Sequence, residues 1–258
     1  MKKSIILSSM LTVACFAGAA EYVFDSQADC RLEGGKRLEF KDGCHVLKGA
    51  CHFMTDKAFT NNPAKKYKLF ADIKRGTNQK TSGLTFAVMY LDEKGRTIQT
   101  REYLTVPNSF TELAKPMKPT DKVITLKKPA NFKKGYNWPV VVAFEAKADE
   151  SDIPNPKVTT KTSKVVIGAD TITVTLDKPT FAAYPAGTKV RLHYALAFYR
   201  PLNIDKFYNH PTDKWVTIGG DVPMPKGVKK FKPVIVYYDW AKGTTKTVLV
   251  RNFKLIEE

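Results

Sequence analysis

Apolar and polar positions alternate with a period of two along much of this chain. The clearest run follows the turn Pro185-Ala186-Gly187. Val190, Leu192, Tyr194, Leu196 and Phe198 fall on one face; Arg191, His193, Ala195, Ala197 and Tyr199 fall on the other. This pattern predicts a half-buried antiparallel strand. Residues 84–91 alternate likewise, with Leu84, Phe86, Val88 and Tyr90 opposite Thr85, Ala87 and Met89. Further strands are expected at 22–25, 37–40, 44–47, 50–54, 67–73, 97–104, 123–126, 140–146, 164–167, 171–176, 215–218, 232–239 and 247–256. Lys41-Asp42-Gly43 and Asp92-Glu93-Lys94-Gly95 supply turns between them. Pro154 and Pro156 stop the apolar run after residue 146, because proline removes ladder donors and fixes the backbone. No long amphipathic helix and no internal repeat is evident. Many short strands joined by such turns predict an all-β, antiparallel β-sandwich. No linker rich in Gly, Ser or Pro divides the chain, so residues 21–258 read as one sandwich domain carrying insertions.

The N-terminus sets the compartment. Met1-Lys2-Lys3 is a basic head, residues 5–16 are mostly apolar, and Ala17-Gly18-Ala19-Ala20 supplies small residues before a cut. The apolar run falls short of the ~20 residues of a membrane span. Residues 1–20 therefore read as a secretory signal, and the mature chain as secreted or periplasmic with no transmembrane segment. A lipoprotein signal ending at Cys15 is the rival, and Thr12 stands where such signals want an aliphatic residue. Removal of the leader takes Lys2 and Lys3 and lowers the formal charge from +17 to +15. The excess is nearly all lysine, spread in pairs such as Lys65-Lys66 and Lys229-Lys230. Such a field attracts anionic surfaces and glycans. An exported chain lacking an aromatic–basic motif is not expected to bind nucleic acid. Cys30, Cys44 and Cys51 remain, and in an oxidising compartment one disulfide plus one thiol is expected, with the pairing open. Cys44-His45 and Cys51-His52 lack the spacing of zinc ligands.

The order of elements resembles jelly-roll carbohydrate-binding modules of the galactose-binding-like sandwich group. Asn62-Pro63-Ala64-Lys65-Lys66-Tyr67 leading into a strand is similar to their proline–turn–tyrosine opening. Residues 88–98 resemble their strand, acidic-glycine turn and return strand. Trp215-Val216-Thr217-Ile218-Gly219-Gly220 resembles the tryptophan that opens a late strand, and 234–239 with 248–255 resemble the closing pair. The segments 151–155 and 187–193 are also similar to parts of sandwich modules attached to exported polysaccharide-degrading proteins. The resemblance implies non-covalent glycan binding. It departs at Arg251-Asn252, where an acidic residue would help hold the structural calcium common in such modules. No cofactor is therefore expected.

Laying the strands side by side predicts a shallow groove on the non-core face. Its floor would be small residues such as Ala195 and Ala197. Flat aromatic faces stack on sugar C–H groups, and polar side chains reach hydroxyls. His193, Tyr199, Tyr237, Asp239, Glu145 and Arg191 are the ligand-binding candidates. The competing expectation is that the faces are inverted or a loop covers the patch. Trp215 is expected in the core, since indole is highly buried on average. Asp149, Glu150 and Asp152 read as a solvated acidic loop. No Gly-x-Ser-x-Gly, His-Glu-x-x-His or phosphate-cradling glycine loop occurs. Glu145 and Asp239 are the one carboxylate pair assigned to a common face, which is thin support for a glycosidase. The sequence points to a non-catalytic glycan-binding protein, or alternatively to a structural or protein-interaction sandwich of the cell envelope.

Overall fold

The computed structural model describes residues 19–77, 83–133, 135, 137–180, 182–196, 198–203, 209–239 and 246–258. Residues 1–18 of the expected leader and Ala197 of the expected groove floor lie outside the described residues. The first strands are β1 (Ala20–Val23), β2 (Cys30–Leu32), β3 (Glu39–Lys41), β4 (Cys44–Lys48), β5 (Cys51–Thr55), β6 (Phe59–Thr60), β7 (Tyr67–Arg75) and β8 (Leu84–Leu91). One short helix, α1 (Thr100–Tyr103), precedes β9 (Thr111–Glu112), β10 (Val123–Lys127), β11 (Val140–Phe144), β12 (Thr162–Ile167), β13 (Thr171–Leu176) and β14 (Lys189–Tyr194). The chain closes with β15 (Arg200–Pro201), β16 (Val216–Asp221), β17 (Lys230–Tyr237) and β18 (Thr247–Glu257).

The all-β antiparallel sandwich expected from the pattern is what forms. One large sheet runs β16-β7-β18-β4-β3, with β1 added against β18. The other runs β15-β8-β17-β5-β2, with β6 added against β17. Without the short additions β3 and β2, these are the strand orders of an eight-stranded jelly roll. Between β8 and β15 the chain inserts two three-stranded antiparallel sheets, β10-β13-β12 and β11-β14-β9. Strict alternation builds β7, whose Tyr67, Leu69, Ala71 and Ile73 are buried between half-buried neighbours. The inward side chains meet Leu47, Phe53, Phe86, Ile235, Val250 and Phe253 in one continuous core, which also takes in Val140, Val142, Ile172, Val190 and Leu192 of the insertion.

Two local expectations are corrected. Residues 97–104 do not return as a strand beside β8. Only a bridge from Thr97 to Leu91 forms before the chain turns into α1 and enters the insertion. No disulfide forms either: Cys30, Cys44 and Cys51 are free thiols. The β2–β5 register sets Cys30 opposite Thr55, four residues along from Cys51. At about 3.3 Å per residue that is roughly 13 Å, beyond the ~7 Å Cα reach of a disulfide. Cys44 lies in the other large sheet.

Candidate functional site

The six residues expected in one groove separate. Glu145 and Arg191 belong with β11 and β14 in the insertion, as does His193, whereas Tyr237 and Asp239 lie on and just after β17. The ten-residue run also stops short, since β14 ends at Tyr194. Tyr199 therefore follows an irregular segment and joins the large sandwich beside Val234 and Val236. On β17 the faces are reversed from expectation: Ile235 and Tyr237 point into the core, and Val234 and Val236 point outward. Asp239 is buried, with its carboxylate 3.5 Å from the Tyr237 hydroxyl. Glu145 is exposed and pairs with Lys157.

Arg191 and His193 do stand on the outer side of β14, but the segment around residues 147–152 closes on Arg191 and the backbone of α1 meets His193. Arg191 is 3% exposed and grips both oxygens of Asp152 at 2.8 and 2.7 Å, with the Lys147 carbonyl at 3.2 Å. The acidic loop is thus drawn in through Asp152. Burial pushes the Asp152 carboxyl up, but hydrogen bonds from Arg191, the Lys147 backbone and Asn155 outweigh it and hold it below its ordinary value. His193 is fully buried. Its Nδ1–H donates to the Arg101 carbonyl at 2.8 Å, so Nε2 is left to accept from Arg191 Nε at 3.2 Å. Burial is the main cause that lowers the His193 pKa to about 4. This cluster closes a loop onto a sheet and leaves a sugar no room.

Trp215 also departs from expectation. It is half-buried on the outside of the β16-β7-β18-β4-β3 sheet, with the Arg251 guanidinium 4.0 Å and Lys74 Nζ 5.9 Å from the ring centre. Asp72 ties the patch together, accepting hydrogen bonds from Thr217 and Asn252 at 2.6 Å each. The arginine already occupies a stacking position over the indole.

The outer face of the opposite large sheet is different. Val234 and Val236 of β17, Ala87 and Met89 of β8, and Met54 of β5 make an apolar floor. At one side His52, Phe198 and Tyr199 pack as an aromatic trio, with His52 to Phe198 at 5.0 Å and to Tyr199 at 5.6 Å. The Tyr199 and Tyr238 hydroxyls share a hydrogen bond of 2.8 Å. Charged groups rim the face: Glu33 bonds His52 Nδ1, Arg31 pairs with Asp56 at 3.1 Å, and Lys232 donates to the Asp56 carbonyl at 2.6 Å. Burial, followed by the neighbouring charge of Arg31, lowers the Lys232 pKa. At the methionine side of this layer an open cleft of about 540 Å³ is lined by Met54, Met89 and Phe198 and edged by Arg31, Glu33, Thr97 and Gln99.

Of the sequence candidates, Tyr199 alone packs within this outer-face cluster. Met89 was legible as outward-facing from the parity of β8, but Phe198 was assigned to the core side. Parity ends with Tyr194, so nothing in the alternation could have placed Phe198. The chain matches no protein-family model, and comparison with curated proteins finds no match. Among the described residues no helix is long and apolar enough to cross a membrane.

Proposed function

We propose that this chain is an exported, non-catalytic glycan-binding protein that holds a sugar chain in the cleft across β2, β5 and β8. The observation that carries the reading is the composition of that cleft. It has an apolar methionine floor, an aromatic wall at Phe198, and a guanidinium, a carboxylate, a hydroxyl and an amide at its edge. An apolar surface takes the C–H faces of a sugar ring, while the edge groups reach its hydroxyls. The jelly-roll strand order supports the resemblance to carbohydrate-binding modules, and the leader read in residues 1–20 supports export. The net charge favours an anionic polysaccharide as partner. A non-catalytic role is favoured by Glu145 and Asp239, which follow strands of different sheets and do not face one another across the cleft.

A glycan array with wild type and Phe198→Ala tests this. Loss of one aromatic contact of about 1 kcal/mol predicts roughly fivefold weaker binding. A variant that binds as well as wild type places any sugar elsewhere, and release of reducing ends from a polysaccharide overturns the non-catalytic reading. The second reading, a protein-interaction sandwich of the envelope, has one observation in its favour. Beyond its bulge at Thr162–Lys164, the edge strand β12 leaves Val166 and Ile167 46% and 43% exposed, an apolar stretch of edge that can accept another strand. Absence of any glycan signal from the wild type favours that reading.

A further inference from the structure

A second cleft, of about 560 Å³, opens where β7 begins and β16 ends, and it shares no lining residue with the first. Antiparallel pairing sets Asp221 opposite Lys68. The backbone bonds Val222 N–H to Tyr67 carbonyl and Asn61 N–H to Lys229 carbonyl, each 2.8 Å, hold its two walls in place. Lys65, Lys66, Lys68 and Lys226 line it against one carboxylate, Asp221. Lys68 is engaged by Glu258 at 2.6 Å, whereas Lys65 and Lys66 form no ion pair among the described residues. On the wall stands Asn61, 8% exposed. Its Nδ2 donates to the Val228 carbonyl at 2.9 Å, which fixes the amide's orientation, and its Oδ1 is buried without a hydrogen-bond partner.

Surface lysines alone attract any polyanion. Asn61 narrows the choice, because a buried carbonyl oxygen lacking a donor is costly and a ligand that brings one gains what the protein does not supply. The fitting ligand carries an anionic group for the lysines, a hydroxyl for Asn61 and a C–H surface for Pro63, Val222 and Met224. We propose that this cleft binds an acidic sugar residue, its carboxylate or sulfate ester held by Lys65, Lys66 and Lys226 and one hydroxyl donating to Asn61 Oδ1. The sugar portion rests on the glycan reading above; the anion portion does not.

The test is calorimetric titration of the full chain with oligogalacturonate, sulfated dextran oligomers, polyacrylate and neutral dextran. At least one anionic glycan is expected to bind tenfold or more tighter than polyacrylate of equal charge or neutral dextran, and the two anionic arms identify carboxylate or sulfate. Lys65→Gln with Lys66→Gln, both on the surface, should weaken that binding about tenfold and flatten its salt dependence. Asn61→Leu should erase the preference over polyacrylate. Equal binding of polyacrylate, indifference to the lysine pair, or no binding of either anionic glycan overturns the proposal. Anionic binding lost with the lysines but untouched by Phe198→Ala, with no neutral glycan bound, sinks the sheet-face reading while leaving this one standing.

Discussion

Buried charge at Arg191 is the residue-scale feature with the largest consequences. A guanidinium and a carboxylate taken out of water are tolerable only when each is paired and hydrogen-bonded, and Arg191 with Asp152 meets that condition. His193 completes the arrangement only as a neutral ring, since a second cation beside Arg191 would be repelled. In the unfolded chain the imidazole takes a proton near its ordinary value of 6.5, whereas in the fold it resists until about pH 4. Between those values only unfolding gains a proton. The contribution is therefore complete above pH 6.5 and lost as pH falls toward 4, by roughly 3 kcal/mol in total. Urea unfolding of wild type and His193→Asn at pH 7, 5.5 and 4 checks this. The wild type should lose its advantage over the variant across that window. A gap between the two that stays constant with pH refutes the assignment. His45, whose pKa burial also lowers, is common to both proteins and cancels in the comparison.

At the scale of elements, Gly219 on β16 makes the sharpest prediction. Its φ is +147°, and a Cβ there would lie 2.0 Å from the Leu69 carbonyl oxygen and 2.8 Å from Phe70 Cα. Both are backbone atoms of the strand to which β16 is paired, so neither can step aside. Gly219→Ala should cost roughly 3 kcal/mol or more. Gly220→Ala, at φ +155° but with nothing within 4 Å, should cost clearly less. Thermal melts of both variants decide the point, and equal melting temperatures would remove the close approach as the cause. The same strands show what the sequence made legible. Alternation assigned the inward sides of β8 and β14 correctly, because each places one bulky apolar set on the core. It failed on β17, where Val234 and Val236 are as buried as Ile235 and Tyr237. The polar mark of the outer face is Lys230 and Lys232, which share the parity of Val234 and Val236, whereas Asp239, of the opposite parity, lies beyond the strand's end at Tyr237. It also failed to say which strands are neighbours. β8 pairs with β17 and β11 with β14, in different sheets, because pairing is settled by contacts far apart in the chain. The expected groove dissolved for that reason, and the cleft that formed instead takes Met89 from the outward faces that parity assigned but Phe198 from beyond the strand's end.

Across the whole molecule the question is whether the inserted sheets and the jelly roll melt together. The insertion leaves the large sandwich after β8 and returns at β15, so both its ends are anchored in one sheet. Tyr90 of β8 packs edge-on against Tyr103 of α1 at 4.8 Å, and the Tyr90 hydroxyl bonds to the Pro223 carbonyl. Gly227, beyond β16, sits so close to the insertion that a Cβ there would lie 2.3 Å from the Ile153 carbonyl oxygen. Exposing either unit alone would uncover part of one continuous apolar cluster, and burial of apolar surface is the dominant favourable term in folding. Cooperative, two-state unfolding is expected. The tryptophans supply the probes: Trp138 packs against Tyr194 in the insertion at 5.3 Å, and Trp215 lies on the jelly roll against Arg251. Two variants that each retain one of these as sole tryptophan should show fluorescence transitions coincident in urea, with equal calorimetric and van't Hoff enthalpies. Separate midpoints would mean that the contacts through Tyr103 and Gly227 are too weak to couple the units. The insertion would then unfold while the jelly roll and its two clefts remained.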